Sequence, residues 1–508
     1  MNNNSISFDA IRQAKDPSLL PSGLGEISVV KFLFLLALYF CLHMVLRVVS
    51  SPALELDEAE QIVLSQWLLP SYGSQPPLYT WLQFFFTKIV GTNVLAVSLL
   101  KNILLFLAYM FIFLATRRLT NSSALAAISS LSLLFIPQIS WGAQRDLTHS
   151  VLLLASASAF FYVTLRLLES HTLHDYIFFG IATGLGILSK HNFSIFAAAL
   201  IIACVSSSST RSPFLHPYIL LSILIAGVMV TPYLRWASAH PLVAVFGTHK
   251  FHMASIKAVP GALLRFCLHI IAILAPLLVV YGVFFRQGFT IKRKVEHKKG
   301  NQVLLTRFFL ALFGILIFLI VAFHVTKFKN RWLAPLLILV PIYFTTRLEP
   351  EVIEAYRAKH FFIAPTAVAT LIILFMTVRI FGPTLTGFVT DLHYPSRAVA
   401  QEIRTTGFEQ GTIVADRQVT AGNLKIQFPR SLVLSPSLKR LGNLRPQLKH
   451  PIVILWENDN KHTIPRKLKN YMENVLHISS QAKILTYKRL PMYLYPDRYI
   501  RIGIAFLE

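Results

Sequence analysis

The sequence predicts a polytopic α-helical membrane protein that carries a small soluble α/β domain at its C-terminal end. Of its 508 residues, 54% are hydrophobic and 14% are charged, with a mean hydropathy of +0.58, whereas soluble domains carry about 25% charged residues. Apolar runs long enough to cross a bilayer recur from residue 29 to residue 381. The stretch 390–508 instead mixes short β-rich runs with Pro, Asn and charged turns.

The chain is strongly basic, with a formal net charge of +25. The basic residues fall mostly in short loops between apolar runs, where positive charge orients helices toward the cytoplasm, and no nucleic-acid-binding motif accompanies them. We therefore expect membrane lipids rather than nucleic acid as partners. Cys41, Cys204 and Cys267 lie within apolar runs without metal-ligand spacing, so neither a disulfide framework nor a Cys-zinc site is expected.

A helix needs about 20 apolar residues to cross a bilayer, and on that basis we predict eleven membrane spans. They lie near 29–50, 92–115, 121–141, 147–168, 175–190, 192–209, 216–235, 263–285, 303–323, 332–347 and 360–381. A further apolar piece, 76–90, is predicted to lie in the interface or to re-enter the membrane.

The loop charges predict the orientation of these spans. The segment 286–302 is rich in Lys and Arg and is therefore predicted to be cytoplasmic, together with the N-terminus. The opposite, outer face then receives the loops 51–91, 142–146, 236–262 and 324–331. Because the number of spans is odd, the C-terminal domain also lies on that face. We expect its strands near Gly411 to Val414, Pro451 to Trp456, Ile484 to Tyr487 and Ile500 to Phe506.

The first outer loop holds four carboxylates within six positions, Glu55, Asp57, Glu58 and Glu60. In a helix, Asp57 and Glu60 share a face by their spacing, while Glu58 points elsewhere. A carboxylate at the membrane surface can act as a general base toward a hydroxyl or bind a hard cation. The alternative is an acidic helix start that the helix dipole stabilises.

A second carboxylate, Asp146, follows Arg145 at the same predicted membrane boundary. Asp is common at helix N-termini for structural reasons, but two carboxylates at one boundary suit a transferase with one base and one supporting acid. Between them, Pro76 and Pro77 fix an extended turn. The nearby Tyr79 either belongs to an interfacial aromatic belt or stacks against a sugar.

Basic residues also occur on the outer face, against the topological bias. Lys190 and His191 interrupt an apolar run, where a lysine is costly unless it snorkels or meets an anion. Further basic residues of the outer loops are His249, Lys250, His252, His324, Lys327, Lys329 and Arg331. A bound phosphate explains this pattern most simply, and ordinary contact with anionic lipid heads is the alternative.

Four short motifs together resemble glycosyltransferase family 39. They are Asp57-Glu58-Ala59, then Pro76-Pro77-Leu78-Tyr79 with Trp81, then Arg145-Asp146, and last Gly184-Leu185 leading to Ser189-Lys190. This family contains the aminoarabinose transferases of lipid A, the protein O-mannosyltransferases and the rhizobial galacturonosyltransferases of lipid A and core. The resemblance covers residues 29–350 and implies a C-type membrane glycosyltransferase fold.

The resemblance implies transfer of a sugar from a polyprenyl-phosphate carrier to an acceptor on the outer face of a bacterial inner membrane. It places the catalytic base on Asp57, a supporting role on Asp146 and contact with the carrier phosphate on Lys190. The chain departs from the aminoarabinose transferases at Glu60, where they have Arg, and at Ser74-Gln75, where they have Glu-Lys. The versions of these motifs in this chain are closer to the galacturonosyltransferase branch.

The resulting expectation is an inverting sugar transfer to lipid A or lipopolysaccharide core, by a helical domain of residues 1–385 and a periplasmic domain of residues 390–508. We expect Asp57 and Asp146 to be catalytic. The expected substrate-binding residues are Glu58, Glu60, Gln75, Tyr79, Arg145, Lys190, His249, Lys250, His252, Lys327 and Arg331. No cofactor is assigned, and a divalent cation stays open. The alternatives are a lipid or glycan flippase and a non-catalytic glycan-binding protein.

Overall fold

The computed structural model describes two connected parts, a helical part up to Phe381 and a mixed α/β part that follows it. The residues that the structure describes are 27–241, 243, 255–290, 299–348, 355–382, 387–441, 446–457, 463–479 and 483–507.

The helical part alternates long apolar helices with short helices at their ends. In chain order the helices are α1 Val29–Ser50, α2 Leu56–Leu64, α3 Leu78–Val90, α4 Val94–Thr120, α5 Ser123–Leu131, α6 Trp141–Asp146, α7 His149–Ser170, α8 Leu173–Ser189, α9 Asn192–Val205, α10 Ser212–Leu215, α11 Ile219–Ala239, α12 Val259–Thr290, α13 Lys299–Phe323, α14 Asn330–Leu333, α15 Val340–Thr345 and α16 Ala355–Phe381.

Seven helices of the described ranges are long and apolar enough to cross a membrane, namely α1, α4, α7, α11, α12, α13 and α16. They coincide with seven of the eleven predicted spans. The predicted spans over 121–141, 175–190 and 192–209 contain shorter apolar helices, α5, α8 and α9. The apolar piece 76–90 forms α3, whose 13 residues reach about 20 Å, too short to span a bilayer.

The prediction of one continuous span over 332–347 is wrong. This segment consists of α14, a 3₁₀ turn over Ala334–Leu337 and α15. Pro335 and Pro341 lie at the starts of the second and third pieces. Proline has no backbone N–H to donate and its ring crowds the preceding turn, so each proline begins a new helical piece instead of continuing the last one. Most of the segment is buried among the longer helices.

The C-terminal part is a five-stranded sheet with helices. In chain order it contains α17 Ser396–Thr405, β1 Thr412–Ala415, α18 Gln418–Gln427, β2 Leu432–Leu434, β3 Ile452–Glu457, α19 Arg466–Tyr471, β4 Lys483–Met492 and β5 Tyr495–Leu507. The strand order is β2-β1-β3-β5-β4, with β1 parallel to β2 and β3, and β5 antiparallel to β3 and β4. The four strands expected from the sequence form, and β2, which was not expected, joins them.

Helix α18 of the C-terminal part packs directly on α2 of the helical part. At Gly422 a Cβ atom would lie 2.5 Å from the Cα of Ala59, so only glycine allows the two backbones to approach this closely. Beside this contact the backbone N–H of Leu54 donates to Oδ1 of Asn423 at 3.1 Å. The segment around Leu54 and Ala59 is therefore held between the long apolar helices and the C-terminal sheet domain.

Candidate functional site

Two carboxylates, those of Glu58 and Asp146, accept hydrogen bonds from backbone N–H groups at the start of helix α2. The carboxylate of Glu58 accepts a hydrogen bond from the N–H of Glu55 at 3.1 Å, within a capping box. The N–H of Asp57 donates to Oδ1 of Asp146 at 2.9 Å. Asp146 thus caps a helix that lies 89 positions away in the chain, which brings the two predicted catalytic carboxylates together.

Glu58 lies in a buried ion cluster. Its side chain is 1% exposed, and its carboxylate oxygens lie 2.6 Å from Nη2 of Arg47 and 3.1 Å from Nζ of Lys101. Burial alone would raise the pKa of Glu58, but the charges of Arg47 and Lys101 outweigh it and lower the pKa below its ordinary value. Glu58 therefore stays ionised and ties α2 to α1 and α4.

Asp57 has a different environment although it is the preceding residue. Its side chain is half-buried, and burial raises the pKa of Asp57, opposed by the positive charges of Arg331, Lys101 and Lys190. These three cations come from three separate parts of the chain. A carboxylate with a raised pKa that faces basic side chains is an arrangement that general bases use.

The charge of Asp57 also affects the pKa of Asp146. Burial and the neighbouring charge of Asp57 raise the pKa of Asp146 to about 7, because two nearby carboxylates disfavour simultaneous ionisation. Asp146 ends α6, and Leu147 after it has extended backbone. Asp146 therefore lies at a break between two helices.

Ser150 connects the side chain of Lys190 to the backbone of Arg331. Nζ of Lys190 donates to Oγ of Ser150 at 2.7 Å, and this hydroxyl donates to the backbone carbonyl of Arg331 at 3.2 Å. Lys190 has extended backbone between the end of α8 at Ser189 and the start of α9, as its interruption of the apolar run predicted. The helix break is what turns this lysine toward Ser150.

Tyr79 and a small polar network lie beside these charged residues. Tyr79 is fully buried, and its hydroxyl has no hydrogen-bond partner among the described residues. Its ring centroid lies 5.5 Å from that of His149. Gln61 links α2 to this network. Its Oε1 atom accepts a hydrogen bond from the hydroxyl of Thr80 at 2.7 Å, and its Nε2 atom lies 3.3 Å from Nε2 of His149.

The other predicted site residues differ in their exposure to solvent. Glu60 and Gln75 are half-buried, whereas Arg145 and Lys327 are exposed. Lys327 is not among the cations with the largest effects on Asp57, in contrast to Arg331. His249, Lys250 and His252 lie outside the described residues. The roles of all these residues in catalysis and substrate binding stay predictions.

No group of three or more His, Cys, Asp or Glu side chains within the described ranges is arranged to hold a metal ion. From the sequence, the carboxylates of Asp57, Glu58 and Glu60 were candidates to bind a hard cation. In the structure Glu58 is committed to Arg47 and Lys101, so its oxygens already have cationic partners.

Two basic residues of the cluster, Arg47 and Lys101, were not predicted from the sequence. Lys101 lies about two turns into α4 and is 2% exposed. A lysine inside an otherwise apolar span is itself a signal of function or of a buried partner, and that signal could have found it. Arg47 lies in the last turn of α1, and its sequence position does not distinguish it from other basic residues at the ends of membrane spans.

Comparison with known proteins gives a family-model match over part of the chain and solved structures with the same fold. The family model of dolichyl-phosphate-mannose-protein mannosyltransferases matches residues 74–236. The crystal structure of ArnT from Cupriavidus metallidurans bound to undecaprenyl phosphate superposes with a TM-score of 0.57 at 12% identity, over 94% of this chain and 97% of that chain. The apo state of the same protein gives 0.54 at 13% identity, over 94% and 98%. The expected C-type glycosyltransferase fold is confirmed.

Two relatives from Rhizobium johnstonii match along most of their length. Lipopolysaccharide core galacturonosyltransferase RgtA is 33% identical over 438 residues, 84% of this chain and 87% of the relative. Lipopolysaccharide core galacturonosyltransferase RgtB is 32% identical over 491 residues, 93% of this chain and 97% of the relative. The chain therefore belongs to the family of membrane glycosyltransferases that includes these two rhizobial galacturonosyltransferases.

Proposed function

We propose that this glycosyltransferase transfers galacturonic acid from a polyprenyl-phosphate carrier to lipid A or lipopolysaccharide core, at the outer face of the bacterial inner membrane. The acceptor and the sugar follow from the named activity of RgtA and RgtB, and the carrier from the undecaprenyl phosphate bound to ArnT. Membership of an enzyme family sets aside the flippase and the non-catalytic alternatives.

The observation that carries this proposal is the placement of Asp57 opposite cations from three parts of the chain, Lys101, Lys190 and Arg331. A glycosyl transfer from a phosphate carrier needs a base for the attacking hydroxyl and positive charge for the departing phosphate. One cluster supplies both requirements.

In the proposed reaction, the carboxylate of Asp57 removes the proton of an acceptor hydroxyl while its oxygen attacks the anomeric carbon. The bond between that carbon and the phosphate oxygen breaks, and the configuration at the carbon inverts. The raised pKa of Asp57 suits this role, because a base is most effective when its pKa approaches the working pH.

Lys190 and Arg331 would hold the phosphate as its negative charge grows. Ser150 accepts a hydrogen bond from the Lys190 ammonium and donates to the backbone carbonyl of Arg331, so the lysine and the backbone that carries the arginine are held in place without substrate. Charge placed before the reaction is often the largest contribution to catalysis, and losing one such donor costs about 10²–10³ in rate. Lys101, which is paired with Glu58, adds a further positive charge near Asp57.

The orientation of the chain also belongs to this proposal. The short helices that carry Asp57, Asp146 and Arg331 meet on one side of the long helices, and the C-terminal sheet domain packs on the first of them. The strongly basic segment 286–302 favours the cytoplasm for the opposite side. The site and the sheet domain then face the periplasm.

The test is Asp57→Asn in the purified full chain, reconstituted in vesicles with a polyprenyl-phosphate sugar donor and lipopolysaccharide acceptor. We expect at least about a hundredfold loss of turnover with retained binding of the carrier, because general-base catalysis contributes about 10²–10⁴. Asp497→Asn, at an exposed position of β5, is the matched control.

Mass spectrometry of lipopolysaccharide from a deletion strain, complemented with either variant, identifies the product. A hexuronic acid increment that depends on Asp57 supports the proposal. A loss of less than about tenfold in Asp57→Asn would exclude Asp57 as the base. Identical lipopolysaccharide with and without the wild-type chain would exclude this acceptor.

A further inference from the structure

A second basic pocket adjoins the site on the side of α6 that carries Arg145. We call it the Arg145 pocket. It lies between the C-terminal ends of α1 and α16 and the end of α6. The residues that line it are His43, Leu46, Arg47, Ser50, Gln144, Arg145, Met376, Thr377, Arg379, Ile380 and Leu392.

Two of the three arginines in this pocket already have carboxylate partners. Arg47 is paired with Glu58, and Arg379 with Glu55. Arg145 is exposed and has no ion-pair or hydrogen-bond partner among the described residues. The pocket therefore keeps at least one positive charge for which the described part of the chain supplies no anion, and a bound anionic group would satisfy it.

A second polar group in the pocket is also unsatisfied. His43 is 5% exposed, and its Nε2 atom makes no hydrogen bond within the described ranges. A buried ring nitrogen without a partner is costly, and it faces the same pocket as Arg145. Two independent side chains thus indicate a polar ligand at this place.

The other wall of the pocket is apolar and belongs to membrane helices. Leu46 comes from α1, and Met376 and Ile380 come from α16. Only 22% and 17% of the span residues of these two helices are buried inside the protein, so they present most of their surface to lipid. A pocket with cations at the top and apolar walls toward the bilayer suits the head of an acidic lipid.

The pocket is also next to the proposed base. Arg145 precedes Asp146, which caps α2 at Asp57, and Arg47 of the pocket holds Glu58, the residue after Asp57. A transfer between two lipid-linked substrates needs two separate places for their heads beside one base. Lys190 and Arg331 occupy one such place, and the Arg145 pocket provides another.

We propose that the Arg145 pocket binds a phosphate or carboxylate group of the membrane-bound acceptor. This inference rests on the proposed function, since it assigns the second substrate of that reaction. Arg145 would supply the main charge, with His43 as a hydrogen-bonding partner.

The test measures steady-state transfer with Arg145→Gln in the reconstituted full chain. We expect the KM for lipopolysaccharide acceptor to rise about tenfold or more, with kcat and the donor KM within about twofold, because the pocket acts on acceptor binding alone. Arg145→Lys keeps the charge and is expected to restore part of the affinity. Arg498→Gln, at an exposed position of β5, is the matched control.

A neutralised acceptor isolates the anionic contact. With lipopolysaccharide whose phosphates are removed and whose carboxyls are methyl esters, wild type and Arg145→Gln should have the same KM, as in a double-mutant cycle. Equal KM increases for native and neutralised acceptors would overturn the proposal. So would a rise in the donor KM instead, which would place the acidic sugar of the donor in the pocket.

Binding of bulk lipid is distinguished by mass spectrometry of the intact protein with phosphatidylglycerol. If Arg145→Gln loses phosphatidylglycerol but keeps its acceptor KM, the pocket holds a bilayer headgroup and the acceptor assignment is wrong. If wild type shows no transfer, the proposed function fails. Direct acceptor binding to the same two proteins then still decides whether Arg145 contacts an acceptor anion.

Discussion

The two sides of helix α2 contain neighbouring carboxylates in opposite electrostatic states. On one side, Glu58 is 1% exposed and touches two cations, at 2.6 and 3.1 Å, so its pKa is lowered despite burial. On the other side, Asp57 has no ion pair at contact distance within the described ranges, and burial raises its pKa against the field of more distant cations.

This difference separates the carboxylate that we infer to be structural from the one that we propose as the base. A buried carboxylate that touches its cations is held in the ionised form and is unavailable to a substrate. A carboxylate that feels cations without touching them keeps its oxygens open and a pKa closer to neutral. Composition alone does not distinguish the two, because both lie in the same acidic run, Leu54 to Glu60.

The largest effect that sharpens this comparison is expected from Glu58→Gln. Removing this charge leaves Arg47 and Lys101 buried without their partner, which costs about 3–5 kcal/mol of unfolding free energy. Because the pKa of Glu58 is lowered in the folded state, its stabilisation is present above the ordinary glutamate pKa and is lost as pH falls.

Thermal unfolding of the purified protein in detergent, measured from neutral pH to below the ordinary glutamate pKa of about 4.3, checks this prediction. The deficit of Glu58→Gln relative to wild type should shrink as pH falls. Glu409→Gln, at an exposed position after α17, is the control. Unchanged stability in Glu58→Gln would show that the Glu58 side of α2 is not structural.

An intermediate effect is expected on the Asp57 side, from Arg331→Gln. Its turnover should fall about 10²–10³-fold, as for loss of one preorganised donor, and more than that of Lys327→Gln. Arg331 acts to lower the pKa of Asp57, so its removal should also move the acid limb of kcat/KM to higher pH. Equal losses in the two variants would contradict the assignment of Arg331 to the cluster.

The smallest effect is expected from Asp146→Asn, as a shift in pH dependence. The amide oxygen can still accept the N–H of Asp57, now bonded to Asp146 at 2.9 Å, so α2 keeps its cap. The charge of Asp57 raises the pKa of Asp146. Because two neighbouring carboxylates disfavour each other's ionisation, an amide in place of Asp146 is expected to lower the pKa of Asp57. The base then stays ionised at lower pH.

A pH profile of kcat/KM for wild type and Asp146→Asn checks this shift. The acid limb should move to lower pH, opposite in direction to that of Arg331→Gln. A shift toward higher pH would mean that Asp146 supports the site through something other than its charge.

Much of the helical architecture could be predicted, because hydropathy is a local property of the chain. The seven longest helices fall where apolar runs of sufficient length occur. The prediction failed at 332–347, where prolines divide an apolar run into short buried pieces. Hydropathy does not distinguish such a buried segment from a membrane span.

The site could be predicted in part. The acidic run and the interrupted helix at Lys190 indicated where charged residues lie. The division of labour between Asp57 and Glu58 could not be predicted, since it depends on Lys101, which approaches from 43 positions away. The bridge through Ser150 between Lys190 and Arg331 spans 40 and 181 positions, and no local pattern records it.

The sequence by itself determined the membrane class, the long helices, most strands of the C-terminal sheet and the family, because each depends on short-range patterns of apolar, charged and motif residues. Only the tertiary structure decided which carboxylate is paired, which cations converge on Asp57 and where the C-terminal domain sits. That domain reaches the segment before α2 through Asn423, 369 positions from Leu54. Contacts of this kind depend on how complete elements pack, and packing is a property of the whole fold.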